Sequence, residues 1–194
     1  MATNTVDFLI KSGTAFRHLT KITSYDYYTY THSLNVCTFS LGIAHVGLSE
    51  RNRSFLSELA FGAILHDIGK SEIQKEILNK RGPLDSAEWD LMRRHPARGV
   101  EIASEIGGVA GNSLKAIAEH HEKMDGSGYP MGLAGDDIHL FGRITSIADV
   151  FDALTTTRSY KKRLNPFPAL KIMIEEKEKF DADILKTFIE LLSH

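Results

Sequence analysis

The sequence predicts an all-α fold, on two observations. Apolar residues recur three and four apart along most of its 194 residues, and runs of alternating Val, Ile and Thr that would mark strands are few. The expected order of elements begins with a weak helix over 8–22 and a longer one over 25–45. A helix over 52–66 follows, with Leu56, Leu59, Ala63 and His66 on one face and Gly69 beyond its end as a stop. A short helix over 73–79 precedes Arg81-Gly82-Pro83, which breaks the chain. Asp85 or Ser86 then caps a helix that carries Trp89 and Met92, whose helical spacing assigns both to the core. His95-Pro96 disfavours helix at His95, so Pro96 is expected to open the next helix, which runs to Ile106 and ends at Gly107-Gly108. A helix over 112–121 leads to the one long Gly-rich loop, 125–137, with Gly126, Gly128, Pro130, Gly132 and Gly135. Helices over 140–155, 166–177 and 182–192 complete the series.

Composition bounds the class. With 42% hydrophobic and 25% charged residues this reads as a soluble globular chain. At this length one domain is expected, a core over 25–192 with 1–24 as an N-terminal helical extension, burying roughly 70% of the unfolded surface. Cys37 is the only cysteine, which excludes a disulfide framework and any multi-thiolate metal site. The longest apolar stretch, 59–65, is far short of the ~20 residues a membrane helix needs, and the first residues lack the features of a signal peptide. A cytoplasmic location is therefore expected. A net charge of -2, with no dense Lys/Arg run before 158–163, argues against a DNA or RNA footprint over the whole domain. Nine histidines against one cysteine direct attention to metal or acid-base chemistry.

The informative set is His32, His66-Asp67, His95, His120-His121 and Asp149. Imidazole and carboxylate are the usual ligands of divalent first-row metals. Neighbours on a helix diverge by about 100°, so one member of an adjacent pair can serve one ion and its neighbour a second. His66 ends the face of Leu59 and Ala63, His121 continues that of Leu114, Ile117 and Ala118, and His32 shares one with Val36 and Phe39. A single histidine so placed reads as a satisfied core residue. Five inward histidines with two aspartates favour a shared partner, since each unpartnered buried polar group costs ~1–3 kcal/mol.

His66-Asp67-Ile68-Gly69-Lys70 resembles the core of the HD superfamily of metal-dependent phosphohydrolases, and the run from His120-His121-Glu122 through Asp125-Gly126 to Gly128-Tyr129-Pro130 resembles the signature of its HD-GYP branch. The residues around His32, Met92 to Pro96, Arg143 to Asp149, and Phe151 to Tyr160 fall in the family's order and spacing. The resemblance implies an all-α metalloenzyme that hydrolyses the bacterial second messenger cyclic di-GMP to linear pGpG and, in some members, to GMP. It implies His32, His66, Asp67, His95, His120, His121 and Asp149 as metal ligands, with Asp67 bridging two ions that hold a hydroxide as nucleophile.

Further roles come with the resemblance. Lys70 is implied to contact the scissile phosphate, against the alternative of a solvated lysine at a helix end. Arg158 and Lys161 match positions that hold the ligand's phosphates and sugar-phosphate edge, or else belong to a solvated basic face. Tyr129 stacks on or hydrogen-bonds the guanine end while Gly126 and Gly128 admit close approach to ligand, or the loop only packs on the domain with Tyr129 as anchor. Asp152 binds at the ligand side or orients a metal ligand or Lys70. Glu122 is either a solvated partner of basic side chains or an acceptor for a histidine N–H. His18, His45, His139 and His194 match no ligand position.

Tyr28 stands four residues before His32, where members with a third metal carry glutamate, so two ions are expected rather than three. Fe or Mn suits the thiolate-free donor set, with Zn, Ni and Co compatible. Gln74, Ser159 and Ala182 replace the family's usual prolines without touching a ligand. Two other functions stay open: hydrolysis of another nucleotide, including the hybrid cyclic GMP-AMP, and a low-turnover module that docks a GGDEF-type cyclase through the Gly-rich loop.

Overall fold

The computed structural model describes residues 17, 18, 20, 21, 27–49, 52–156 and 164–193, the side chains of 27–30 excepted. Among them every regular element is helical. Most of the helix expected over 8–22 lies outside these residues.

Helix α1 (Tyr27–Gly47) buries a stripe of His32, Val36, Ser40, Ile43 and Ala44, spaced three and four apart. Helix α2 (Arg53–Leu65) starts at Asn52, whose side chain accepts from the Phe55 N–H, and buries Leu59 and Ala63. The backbone then tightens into a 3-10 turn, Ile68–Glu72, before the single turn α3 (Lys75–Leu78). Asp85 and Glu88 cap α4 (Ser86–Met92) reciprocally. Helices α5 (His95–Ile106) and α6 (Gly111–Glu119) follow, then the Gly-rich loop and α7 (Leu140–Thr155). His139, matched to no ligand, accepts from the Phe141 N–H at the start of α7. Helix α8 (Pro166–Glu175) stops two residues earlier than expected, giving way to a 3-10 turn, Lys177–Lys179, and α9 (Ala182–Leu192) closes the series on an Asp181 cap.

Helix α7 is the axis of the packing and touches α1, α6, α8 and α9, while α2 bridges α1 and α6. Its Ile144, Ile147 and Phe151 share a core with Phe141, Met173 and Phe188. Phe39, Phe151 and Phe188 meet edge to face with centroids 4.9–5.8 Å apart. A second core, with Leu65, Ile68, Ile102 and Ile117, lies where α5 and α6 pack near the 3-10 turn. The polar cluster described below sits where α1, α2, α5, α6 and α7 converge.

Three local expectations are corrected. Helix α5 begins at His95, one residue ahead of Pro96, because the disfavour before proline is offset by the Nδ1–H bond from His95 to the Met92 carbonyl, 2.8 Å, and by burial of the residue. Trp89 is 43% exposed and outside the core, since α4 buries no residue. Gly69 does not stop α2. It lies within the 3-10 turn, where a Cβ would stand 1.9 Å from the His95 carbonyl oxygen and 2.6 Å from the Gly99 nitrogen.

That close approach gives a test of the packing. Gly69→Ala is expected to lower unfolding stability in urea by about 1–3 kcal/mol, because the contacted atoms are backbone and cannot swing aside. Gly111→Ala, at a helix start with nothing within 4 Å of its Cβ, is expected to leave stability unchanged or raise it by up to about 1 kcal/mol.

Candidate metal centre

Five elements deliver polar side chains to one buried spot. His32 comes from α1, His66 and Asp67 from the end of α2, His95 from the start of α5, His120 and His121 from the end of α6, and Asp149 from α7. Asp67 is at the middle. Its Oδ1 lies 3.2 Å from His95 Nε2 and 3.8 Å from His120 Nε2, and its Oδ2 lies 3.4 Å from His66 Nε2 and 3.7 Å from His32 Nε2. Asp149 reaches His32 Nε2 at 3.1 Å and His121 Nδ1 at 3.7 Å. Two sets of donor atoms result, each within 4.8 Å: His32, His66 and Asp67, and Asp67, His95, His120 and His121. Asp67 belongs to both.

The division differs from the one expected for adjacent residues. His120 and His121 fall in one set, because α6 ends at Glu119 and the 100° helical divergence no longer applies; their rings are 4.1 Å apart and tilted by 44°.

Outward hydrogen bonds fix the imidazoles. The Nδ1–H groups of His66, His95 and His120 donate to the carbonyls of Ala63, Met92 and Ile117, each three residues earlier, at 2.7, 2.8 and 2.9 Å. A carbonyl only accepts, so Nδ1 carries the proton and Nε2 presents a lone pair inward. His32 is held by Asp152, whose Oδ2 lies 2.6 Å from its Nδ1.

The donor set fits metal ions. His66 Nε2 and Asp67 Oδ1 are buried and form no hydrogen bond. His95 Nε2 and His120 Nε2 face each other at 3.2 Å. With both Nδ1 atoms protonated, two lone pairs meet there, an arrangement that a cation makes favourable. No cysteine belongs to either set, which matches imidazole and carboxylate ligation of a divalent ion.

Charge follows the same geometry. Burial lowers the pKa of His95, His120 and His121, the last two well below the usual histidine range, with neighbouring imidazoles adding to the effect for the pair. Burial alone lowers His32 as well, but hydrogen bonds to Asp149 and Asp152 carry it up to about 9. Burial pushes Asp67 and Asp149 upward and is outweighed, by Lys70 and His66 at Asp67 and by His32 and His121 at Asp149, so both lie well below the carboxylate range. Anionic carboxylates beside the neutral imidazoles of His95, His120 and His121 make a pocket for positive charge, in which His32 itself carries a proton.

Lys70 reaches Asp67 Oδ2 at 2.5 Å from within the 3-10 turn, not along a continued helix. Asp152 is buried, with Oδ2 on His32 and Oδ1 accepting from Asn35 and Thr156 at 2.7 and 2.8 Å. Its two oxygens face protein, which turns it toward orienting His32 and away from a ligand. Tyr129 stacks on His121, centroids 4.6 Å apart and 27° between planes, and burial first, then Asp149 and Asp67, raise its hydroxyl pKa. Glu122 meets neither expectation: it is buried and accepts the backbone N–H groups of Met131 and Leu133 at 2.7 and 2.9 Å. Gly128 approaches protein backbone rather than ligand, its Cβ position 2.4 Å from the Lys123 nitrogen, and Gly126 sits at φ 78°. Arg158 and Lys161 lie outside the described residues.

Sequence reasoning missed Asn35 and Thr156, which steady Asp152, and Arg93, whose guanidinium lies over Tyr129 at 5.4 Å. Asn35 had a signal, standing one helical turn after His32.

The HD domain family profile matches residues 44–184. The chain is 35% identical over 182 residues to the cyclic di-GMP phosphodiesterase PA4108 of Pseudomonas aeruginosa, covering 94% of this chain and 44% of that one. It is 46% identical over 135 residues to the 3'3'-cGAMP-specific phosphodiesterase 2 of Vibrio cholerae, covering 69% of this chain and 25% of that one. It thus spans less than half the length of either relative. In fold it matches Bd1817, an HDG"Y"P protein from Bdellovibrio bacteriovorus, with a TM-score of 0.71 and 22% identity over 86% of this chain and 53% of that one. No helix among the described residues is long and apolar enough to cross a membrane. With the profile spanning most of the chain and a His/Asp cluster able to hold metal at its centre, this chain belongs to the metal-dependent HD domain family.

Proposed function

We propose that the chain is a phosphodiesterase that hydrolyses cyclic di-GMP to linear pGpG at a centre of two divalent ions. The observation that carries this reading is the Asp67 carboxylate common to two sets of ligand atoms. Fe or Mn is the metal the donor set suits. Divalent ions held by His32, His66, Asp67, His95, His120, His121 and Asp149 would activate a water for attack and offset charge on the phosphoryl oxygens. His66, His95 and His120 hold the centre through Nε2, His32 and Asp149 close one side, and His121 the other. Lys70, partly exposed beside Asp67, offers its ammonium to the scissile phosphate. Tyr129 walls the site above His121. Arg158 and Lys161 complete the hold on the phosphates, as the family pattern implies. With a bacterial second messenger as substrate, the reading places the chain in the cytoplasm.

The hybrid 3'3'-cGAMP is a second substrate reading, favoured by the similarity to the Vibrio cholerae phosphodiesterase named for it. The two dinucleotides share the phosphodiester and differ at one base. Docking of a GGDEF-type partner through the Gly-rich loop is a separate role that leaves Asp67 unused.

Asp67→Asn therefore sorts these readings. It is expected to cut cyclic di-GMP turnover by more than about a thousandfold, with far-UV circular dichroism unchanged. Turnover near the parent level would remove Asp67 from the chemistry, and retained partner capture by the inactive variant would separate docking from hydrolysis.

The hold of Asp152 on His32 is tested by metal affinity. Asp152→Asn is expected to weaken Mn binding by about 10–100-fold in a competition titration against a chelator. Unaltered affinity would mean that His32 needs no anchor.

A further inference from the structure

Beside the metal centre a row of planar groups leads outward. The His121 ring stacks on Tyr129, the Arg93 guanidinium carbon lies 5.4 Å from the Tyr129 ring centre and 5.6 Å from that of Trp89, and Trp89 stands at the outer end. The end of α6, the Gly-rich loop and α4 each contribute. Neither metal binding nor core packing uses the outer two groups. Trp89 is spaced as a core residue yet exposed, and Arg93 forms no ion pair among the described residues.

A guanidinium set beside two aromatic rings, with no carboxylate on it among the described residues, keeps N–H groups able to donate at its edge. Such a fork matches two acceptors side by side. Guanine presents O6 and N7 in that arrangement, whereas adenine places an N6–H donor beside N7 and would meet the fork with a donor. Aromatic surface beside it supplies the stacking partner that a base seeks. The steps from Trp89 to Tyr129, 6.5 Å between centroids, and from Tyr129 to His121, 4.6 Å, bring the row from the surface to the metal centre.

We propose that Trp89 and Arg93 form a base-recognition subsite, where one guanine of the substrate stacks on Trp89 while Arg93 donates to its O6 and N7. The inference rests on the cyclic dinucleotide reading above and makes both groups specificity determinants of that reaction.

Trp89 is the only tryptophan of the chain, so its fluorescence reports on this subsite directly. Metal-loaded protein is titrated with GMP, AMP and ribose 5-phosphate. GMP is expected to quench the emission at lower concentration than AMP, and ribose 5-phosphate to leave it unchanged. Arg93→Met is expected to raise the GMP dissociation constant about 5- to 150-fold and bring it toward that for AMP. In turnover, the preference of the same variant for cyclic di-GMP over cyclic di-AMP, measured as the ratio of kcat/KM values, falls toward one. Equal losses on both dinucleotides and on bis(p-nitrophenyl) phosphate, a diester without a base, would show that Arg93 only braces Tyr129 and would overturn the subsite. Hydrolysis of cyclic di-GMP with no nucleotide-dependent change in Trp89 emission would overturn the subsite alone. A GMP-specific quench in a protein that hydrolyses no cyclic dinucleotide would support the subsite and remove the functional reading; neither signal would overturn both.

Discussion

The structure depends on concentrating imidazoles and carboxylates around Asp67 inside an otherwise apolar bundle. Each buried polar group left unmatched costs about 1–3 kcal/mol, and four of the histidines, His32, His66, His95 and His120, are anchored outward through Nδ1 while Nε2 points in. Helix ends make this possible. His66 and His120 stand where α2 and α6 stop and His95 where α5 starts, and each donates its Nδ1–H to a carbonyl three residues earlier. The helix boundaries are thus part of the metal centre. Only α1 and α7 pass by it unbroken, and there a side chain replaces the carbonyl: Asp152, one turn after Asp149 on α7, anchors His32.

The same economy explains why two histidines, an acid and a Gly-rich loop are contiguous in sequence. His120 and His121 face the centre, and the next residue, Glu122, takes both of its loop hydrogen bonds from Met131 and Leu133. Gly128 lets the chain return against the backbone of residues 121–123, which sets Tyr129 flat on His121. On the opposite side Gly69 lets the 3-10 turn after Asp67 meet the His95 carbonyl. Both glycines act through proximity of backbone to backbone rather than through a left-handed conformation.

Much of this was legible in the sequence. Helical periodicity located α7 and α9 to the residue, because each buries a long face, and the spacing of His32 with Val36 placed that histidine inward. The seven proposed ligands were named by resemblance and found converged. What escaped is tertiary in origin. Trp89 has the spacing of a core residue, but α4 is a two-turn helix that buries none of its residues, with no second layer outside it among the described residues. Glu122 reads as a solvated acid until the loop is seen to fold back onto it. The pairing of His120 with His121 follows from where α6 ends, a detail to which periodicity is blind at a helix terminus.

Anomalous diffraction at the Mn edge, on crystals of protein reconstituted with Mn under anaerobic conditions, tests the central claim most directly. The account predicts two peaks about 3.5–4 Å apart, both within bonding distance of the Asp67 carboxylate. One peak, or two that do not share Asp67, would contradict it.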